Sequence, residues 1–111
     1  MNKDNRVFIM HSIWYKPDGA PKYREYLQKA LPMVEAAGGR KLRSLEPERA
    51  LIGDFDADLV FFIEFPSWEL YKQFVTSAEH RKLAYLRESA VDKMVIVKCA
   101  RPQGSRLREA G

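Results

Sequence analysis

The segment Leu59-Val60-Phe61-Phe62-Ile63-Glu64-Phe65 (LVFFIEF) decides the fold, because it is apolar on both of the faces that a β-strand presents. Successive side chains of a strand point to opposite faces of a sheet. One face of this segment therefore carries Leu59, Phe61, Ile63 and Phe65, and the other carries Val60, Phe62 and Glu64. A nearly continuous apolar run is typical of a central strand covered on both faces.

The residues before this strand indicate a strand, a turn and a helix. Residues Arg6–Tyr15 (RVFIMHSIWY) are rich in β-branched and aromatic side chains and end at the turn sequence Lys16-Pro17-Asp18-Gly19. Pro21 suits the first turn of a helix. Apolar residues then recur with helical spacing at Tyr23, Tyr26, Leu27, Ala30, Leu31 and Val34. Pro32 predicts a kink or a second short helical piece, and Gly38-Gly39 is expected to close the helix.

Three further elements complete the chain. Residues Arg40–Gly53 alternate weakly and contain Pro47, which favours a strand at the edge of the sheet. Ser67 is expected to cap a helix after the central strand, and a second helical piece is expected to start at Ser77. Residues Met94–Cys99 (MVIVKC) are expected to form the closing strand.

The order strand, helix, strand, strand, helix, strand predicts a ferredoxin-like α+β fold, βαββαβ. Its antiparallel four-stranded sheet carries helices on one face, so the second apolar face of residues 59–65 needs another cover. A second copy of the chain is the natural cover, since identical surfaces most often pair about a two-fold axis. We therefore predict a homodimer through the sheet face, a dimeric α/β barrel, with a small-ligand cavity between the two sheets.

Composition limits the class of protein. The 111 residues predict one domain over residues 1–100 and a basic, loose tail over residues 101–111 that holds Arg101, Arg106 and Arg108. The sequence contains no apolar run long enough to span a bilayer, and its N-terminus lacks the pattern of a signal peptide. The single Cys99 cannot form an intramolecular disulfide and fits a reducing compartment. We expect a cytoplasmic protein without a membrane partner.

Several segments together resemble the bacterial family called domain of unknown function 1330. They are Tyr23 with Tyr26, Ala37-Gly38-Gly39-Arg40, Ile63-Glu64-Phe65-Pro66-Ser67, and Leu83, Leu86, Arg87 and Ala90 in order. The resemblance covers roughly residues 6–100 and implies membership of the dimeric α/β-barrel superfamily. That superfamily includes cofactor-independent monooxygenases, muconolactone isomerase and haem-handling enzymes. By analogy it implies oxygenation or isomerisation of an aromatic or polyketide-like substrate.

Glu64 and His11 are the candidate catalytic residues. Glu64 is a carboxylate on the apolar strand, where a water-poor dimer cavity would suit a general acid or base. The alternative is a structural ion pair with Arg40 or Arg87. His11 lies midway along the first strand and could be a proton shuttle or a haem or metal ligand. A structural histidine is the alternative, and both faces of residues 7–14 are apolar enough to leave its direction open.

Arg40, Arg87 and Trp14 are the candidate ligand-binding residues. The guanidinium groups could hold a substrate carboxylate, or they could pair with Glu64 or with the partner subunit. Among the aromatic residues, Trp14 is the best candidate for a pocket wall because it lies next to the predicted turn.

Several other functions are excluded. The alternating Asp54, Asp56 and Asp58 lack the glycine and the final glutamate of a calcium loop, and no residues have the spacing of a zinc site. Asp58 and Leu59 replace the basic residue and glycine of an RNA-recognition motif, so specific nucleic-acid binding is not expected. Two hypotheses remain: a cofactor-independent enzyme acting on a small anionic or aromatic molecule, and a non-catalytic ligand-binding or accessory homodimer.

Overall fold

The computed structural model describes residues 5–102, so most of the predicted C-terminal tail, including Arg106 and Arg108, lies outside the described residues. The elements in chain order are β1 (Val7–Tyr15), α1 (Gly19–Ala36), β2 (Arg40–Lys41), β3 (Leu59–Phe65), α2 (Trp68–Thr76), α3 (Ala78–Arg81), α4 (Ala84–Ala90) and β4 (Val91–Cys99). The four strands form one antiparallel sheet in the order β2-β3-β1-β4. This is the predicted ferredoxin-like arrangement.

The hydrophobic core lies between the helices and one face of the sheet. Alternate residues of β1 and β3 are buried there, namely Val7, Ile9, Ile13, Phe61, Ile63 and Phe65. The stripe of α1 that covers them consists of Tyr23, Tyr26, Ala30 and Val34, which is the apolar stripe expected from the sequence. The prediction that the helices share one face of the sheet is confirmed.

Helix α1 runs as one element from Gly19 to Ala36 and includes Pro32. The second helical piece predicted after this proline does not form, so that alternative is wrong. The missing proline N–H would have bonded to the carbonyl of Gln28, and both residues lie on the exposed side of the helix. Water can therefore satisfy the carbonyl that the proline leaves without a donor.

The predicted edge strand is much shorter than expected. Strand β2 contains only Arg40 and Lys41, and one further bridge joins Leu45 to Val60 of β3. We call residues 42–58 the arm. Besides this bridge, its two ends keep one backbone bond each to the sheet, from Leu42 N–H to the Phe62 carbonyl and from Asp58 N–H to the Ile13 carbonyl, both over 2.8 Å. Pro47 has no N–H to donate to a neighbouring strand, and this contributes to the early end of the pairing.

Strand β4 begins at Val91, earlier than the predicted Met94, because β1 is long enough to pair with it as far as Tyr15. The first turn of the chain packs against this junction. Lys16 donates its backbone N–H to the carbonyl of Ala90 over 2.9 Å. A Cβ atom at Gly19 would lie 2.1 Å from the same oxygen, so only glycine fits there.

The sheet face opposite the helices, which we call the open face, is apolar. It carries Phe8, Met10, Val60, Phe62, Val95 and Val97. Phe62, Val95 and Val97 are 36%, 39% and 36% exposed. Among residues 5–102, no helix is long and apolar enough to cross a membrane.

Candidate functional site

A cavity of about 510 Å³ lies between the helices and the sheet. Its walls are largely apolar, with Leu27, Leu31, Phe61 and Val75 among them. The sequence predicted a cavity on the other side of the sheet, between two subunits. The cavity described here is built within one subunit and on the helix side.

His11 lines this cavity, which answers the question of its direction. Its ring stacks on Phe61 with 4.5 Å between ring centres and 9° between ring planes. Its Nδ1 lies 3.1 Å from the carbonyl oxygen of Ile9, so this nitrogen carries the hydrogen and Nε2 keeps the lone pair. Burial lowers the pKa of His11 from 6.5 to about 4, although the Ile9 carbonyl opposes the shift.

A second imidazole lies on the same cavity, and the sequence did not single it out as a site residue. His80 of α3 is buried, and its Nε2 lies 2.8 Å from the hydroxyl of Tyr26 on α1. Its Nδ1 lies 3.4 Å from the carbonyl of Val75. Because a carbonyl only accepts, Nδ1 carries the hydrogen and the Tyr26 hydroxyl donates to Nε2.

The local sequence explains how α3 directs His80 inward. Ser77 caps this short helix, and its side-chain oxygen accepts the backbone N–H of His80 over 3.2 Å. The sequence predicted Ser77 as a cap and Tyr26 as part of a buried stripe. The contact between Tyr26 and His80 joins residues 54 positions apart, and periodicity carries no information about such a pair.

Arg87 supplies positive charge at this part of the cavity. Its guanidinium carbon lies 5.8 Å from the centre of the Tyr26 ring. Burial raises the pKa of the Tyr26 hydroxyl, and the nearby Arg87 charge opposes that rise. Burial also lowers the pKa of His80, and Arg87 adds to that effect. The two groups therefore stay neutral near pH 7, beside a permanent cation.

Glu64 and Arg40 lie away from the cavity and contact each other. Glu64 points to the open face, where Arg6 and Arg40 pair with its two oxygens over 2.6 Å and 3.0 Å. Its residue exposure is only 8%. The geometry supports the ion-pair alternative for Glu64, and it separates Arg40 from Arg87.

Trp14 lies at the end of β1 on the open face and does not line the cavity. Its Nε1 donates to Asp56 over 2.7 Å, and its ring meets the edge of Phe55. The ammonium group of Lys93 lies 4.5 Å from the ring centre. Trp14 therefore fixes the arm to the sheet, and of the predicted site residues only His11 and Arg87 meet in the cavity.

The cavity combines a large apolar surface with hydroxyl, imidazole and guanidinium groups on part of its wall. Such a site can enclose a small apolar body and hold one polar or anionic group. Within residues 5–102, no three His, Cys, Asp or Glu side chains lie close enough together to hold a metal ion. Fold and site thus define a ferredoxin-like α+β domain with a largely apolar cavity between helices and sheet.

Sequence comparison gives the family. Residues 8–100 match the family described as Domain of unknown function (DUF1330), and the chain belongs to that family. No functionally curated protein matches the chain.

Solved structures show the same fold. A protein of unknown function from Rhodopseudomonas palustris is 22% identical, with a TM-score of 0.80 over 91% of this chain and 85% of that one. A dabb family protein with a ferredoxin-like fold from Mesorhizobium loti is 16% identical, with a TM-score of 0.62 over 88% and 98%. A dimeric protein of unknown function from Bacteroides fragilis is 13% identical, with a TM-score of 0.54 over 87% and 97%. At these identities the likeness establishes the fold alone.

Proposed function

We propose that this protein binds a small, largely apolar or aromatic anion in the cavity between its helices and sheet. We further propose that it acts on this molecule as a cofactor-independent enzyme of the isomerase or monooxygenase type. The observation that carries the proposal is the cavity of about 510 Å³, whose apolar walls meet Arg87 and Tyr26 on one side. Volumes of roughly 300–1,000 Å³ are usual for small-molecule sites.

Arg87 is the group that selects an anion. A guanidinium group in a site with little water attracts a carboxylate or an enolate more strongly than it would in bulk solvent. The hydroxyl of Tyr26 stays protonated because its pKa is raised, and it can turn toward a ligand oxygen. The apolar walls favour an aromatic or branched body next to that oxygen.

The imidazole of His11 supplies the proton transfer in this proposal. An isomerisation needs a base that removes a proton from carbon and a group that returns it to another carbon, and no electrons enter or leave. Nε2 of His11 is the base in this proposal, because its Nδ1 already donates to Ile9, and the imidazolium that forms returns the proton to the second carbon. A bound anion close to His11 raises the pKa of this histidine from its low value and makes it a stronger base.

A homodimer formed through the open face is part of the proposal. The exposed Phe62, Val95 and Val97 favour burial against a second copy, and the ferredoxin-like neighbour from Bacteroides fragilis is described as dimeric. Glu64, paired with Arg6 and Arg40, would act at this interface as a structural group. The cytoplasmic location predicted from the sequence also stays a proposal.

A non-catalytic binding protein is the second candidate, and two observations favour it. The low pKa of His11, about 4, makes it a weak base. The carboxylate of Glu64 is occupied by two arginines and lies outside the cavity. The same cavity would then hold its ligand unchanged.

Calorimetric titration tests the binding proposal. A panel of aromatic carboxylates is titrated, and each carboxylate is compared with the corresponding neutral amide. We expect binding of carboxylates with a preference of about tenfold or more over the amides. Arg87→Gln should abolish that preference. Ala84→Leu, which fills part of the cavity, should weaken the binding of both carboxylates and amides. Arg24→Gln, an exposed arginine on α1, is the matched control and should change neither. Absence of carboxylate preference in the wild type contradicts the proposal.

Deuterium exchange separates enzyme from binder. Compounds that bind are incubated with the protein in D₂O, and mass spectrometry measures deuterium uptake at carbon. An isomerase-type enzyme introduces deuterium at carbon, and a monooxygenase-type enzyme consumes oxygen in a parallel electrode measurement. Binding without either signal identifies the non-catalytic alternative.

A further inference from the structure

The tip of the arm exposes two large aliphatic side chains. Leu51 is 83% exposed and Ile52 is 97% exposed, the two most exposed of the large apolar residues in the described part of the chain. Single exposed apolar residues are common on protein surfaces. Two adjacent aliphatic residues at the end of a projecting segment form a compact apolar contact point, which is a feature of interaction sites.

The arm is held in place at its base. Leu45 and Val60 exchange two backbone hydrogen bonds of 2.9 Å. On the returning side, the Trp14 indole donates to Asp56, and Asp58 accepts the backbone N–H of Tyr15 over 2.8 Å. These bonds fix both ends of the arm to the sheet, so its tip is presented in a defined direction.

The turn at the tip is also built for projection. Gly53 has a φ of +82°, a left-handed conformation that other residues adopt only at a cost. A Cβ atom at this position would have no neighbour within 4 Å. The backbone therefore turns sharply next to Leu51 and Ile52 without packing against its own subunit there.

The flat area of the open face is small beside the surface that a standard stable interface buries. Strands β1 and β4, with nine residues each, are about 30 Å long, and β3, with seven, is about 23 Å long. At a spacing of about 4.8 Å the three strands give the face a projected area of roughly 400 Å². A standard stable interface takes about 800 Å² from each partner. Additional apolar surface that is continuous with this face would therefore stabilise a dimer, and the arm is fixed beside it.

We infer that the arm tip, Leu51 with Ile52, docks on the β4 strand of a second copy, so that two symmetric arms clasp the homodimer. The inference rests on the proposed dimer. When two sheets face each other about a two-fold axis parallel to the strands, the β2 edge of one lies over the β4 edge of the other. Strand β4 presents exposed Val95 and Val97 on the open face, and these are the contact residues on the partner.

Dimer dissociation constants from analytical ultracentrifugation test the role of the tip. We expect the double variant Leu51→Ser with Ile52→Ser to raise the dissociation constant of the dimer about 100-fold or more. Each subunit then loses two aliphatic side chains that the proposed dimer interface would bury. The double variant Glu48→Ser with Arg49→Ser changes exposed polar residues on the same arm and should stay within about threefold of the wild type. Circular dichroism confirms that each variant is folded.

Disulfide trapping tests the position of the tip. In a Cys99→Ser background, Ile52→Cys combined with Val97→Cys should give a cross-linked dimer on oxidation. Ile52→Cys combined with Lys22→Cys, an exposed residue on α1, should give little. Preferential trapping of the Lys22 pair overturns the docking on β4.

The outcomes separate this inference from the proposed function. A dimeric wild type whose dissociation constant is unaffected by the tip variants overturns the role of the arm and leaves the sheet-face dimer standing. A monomeric wild type overturns both the dimer and the arm. Ligand binding in the cavity is measured separately and depends on neither result.

Discussion

Protonation of His11 inside the folded protein places a positive charge between Phe61 and the helices, away from water. The same ring titrates normally in the unfolded chain, near pH 6.5, whereas burial lowers the native pKa to about 4. The unfolded state therefore binds more protons than the native state between these values, and stability falls as the pH is lowered through this window. Replacement of His11 by phenylalanine keeps a ring on Phe61 and removes the titrating group.

The two pKa values set the size of the effect. Each pKa unit corresponds to about 1.4 kcal/mol. Integration of the proton uptake between about pH 7.5 and about pH 4.5 gives a loss of about 2.5 kcal/mol of unfolding free energy from His11. The other titratable groups of the protein are common to the wild type and the variant. The difference between the two proteins isolates His11.

Urea denaturation of both proteins at the two pH values measures this difference. We expect the wild type to lose about 2.5 kcal/mol more than His11→Phe on acidification. Equal losses in the two proteins would show that His11 titrates in the native state as it does in water, and would refute its burial as described. An NMR titration of the His11 ring provides a second reading, with an expected midpoint near pH 4.

Three further predictions concern contacts that hold the fold together. Gly19→Ala places a methyl group 2.1 Å from the Ala90 carbonyl oxygen, so we expect a thermal unfolding midpoint lower by about 10 °C or more. Glu64→Gln leaves two adjacent arginines without their carboxylate. Because these arginines are largely exposed, urea denaturation should show a loss of only about 1 kcal/mol in unfolding free energy. A loss above about 3 kcal/mol would contradict this solvent screening. Ser77→Ala removes the cap of α3 and should cost about 1 kcal/mol in the same assay. It should also speed amide exchange at His80, while Ser77→Asp restores protection.

The fold was predictable because its main elements have strong periodic patterns. Residues 59–65 and the stripe of α1 bury the faces that alternation and helical spacing assign to them. The edge strand was not predictable at its true length. Its residues alternate weakly, and a few backbone contacts such as the Leu45–Val60 bridge decide where the pairing ends.

The site was only partly predictable, since it depends on contacts between distant segments. His11 could have pointed to either face of β1, because the two faces are similarly apolar. Trp14 was expected near a pocket, but its indole N–H donates a hydrogen bond to Asp56 of the arm. The pairing of Tyr26 with His80 needs the tertiary structure of α1 and α3.

Burial lowers the pKa of both cavity histidines, and this has a practical consequence for recovery of a natural ligand. Arginine keeps its charge throughout the ordinary buffer range, while His11, with its pKa lowered by burial to about 4, remains neutral there. Burial also keeps the pKa of His80 below its usual value, so the cavity presents a constant charge to an anion between about pH 7 and about pH 8. A change of buffer pH within this range will not elute such a ligand during purification. High salt or mild organic extraction is the appropriate release step.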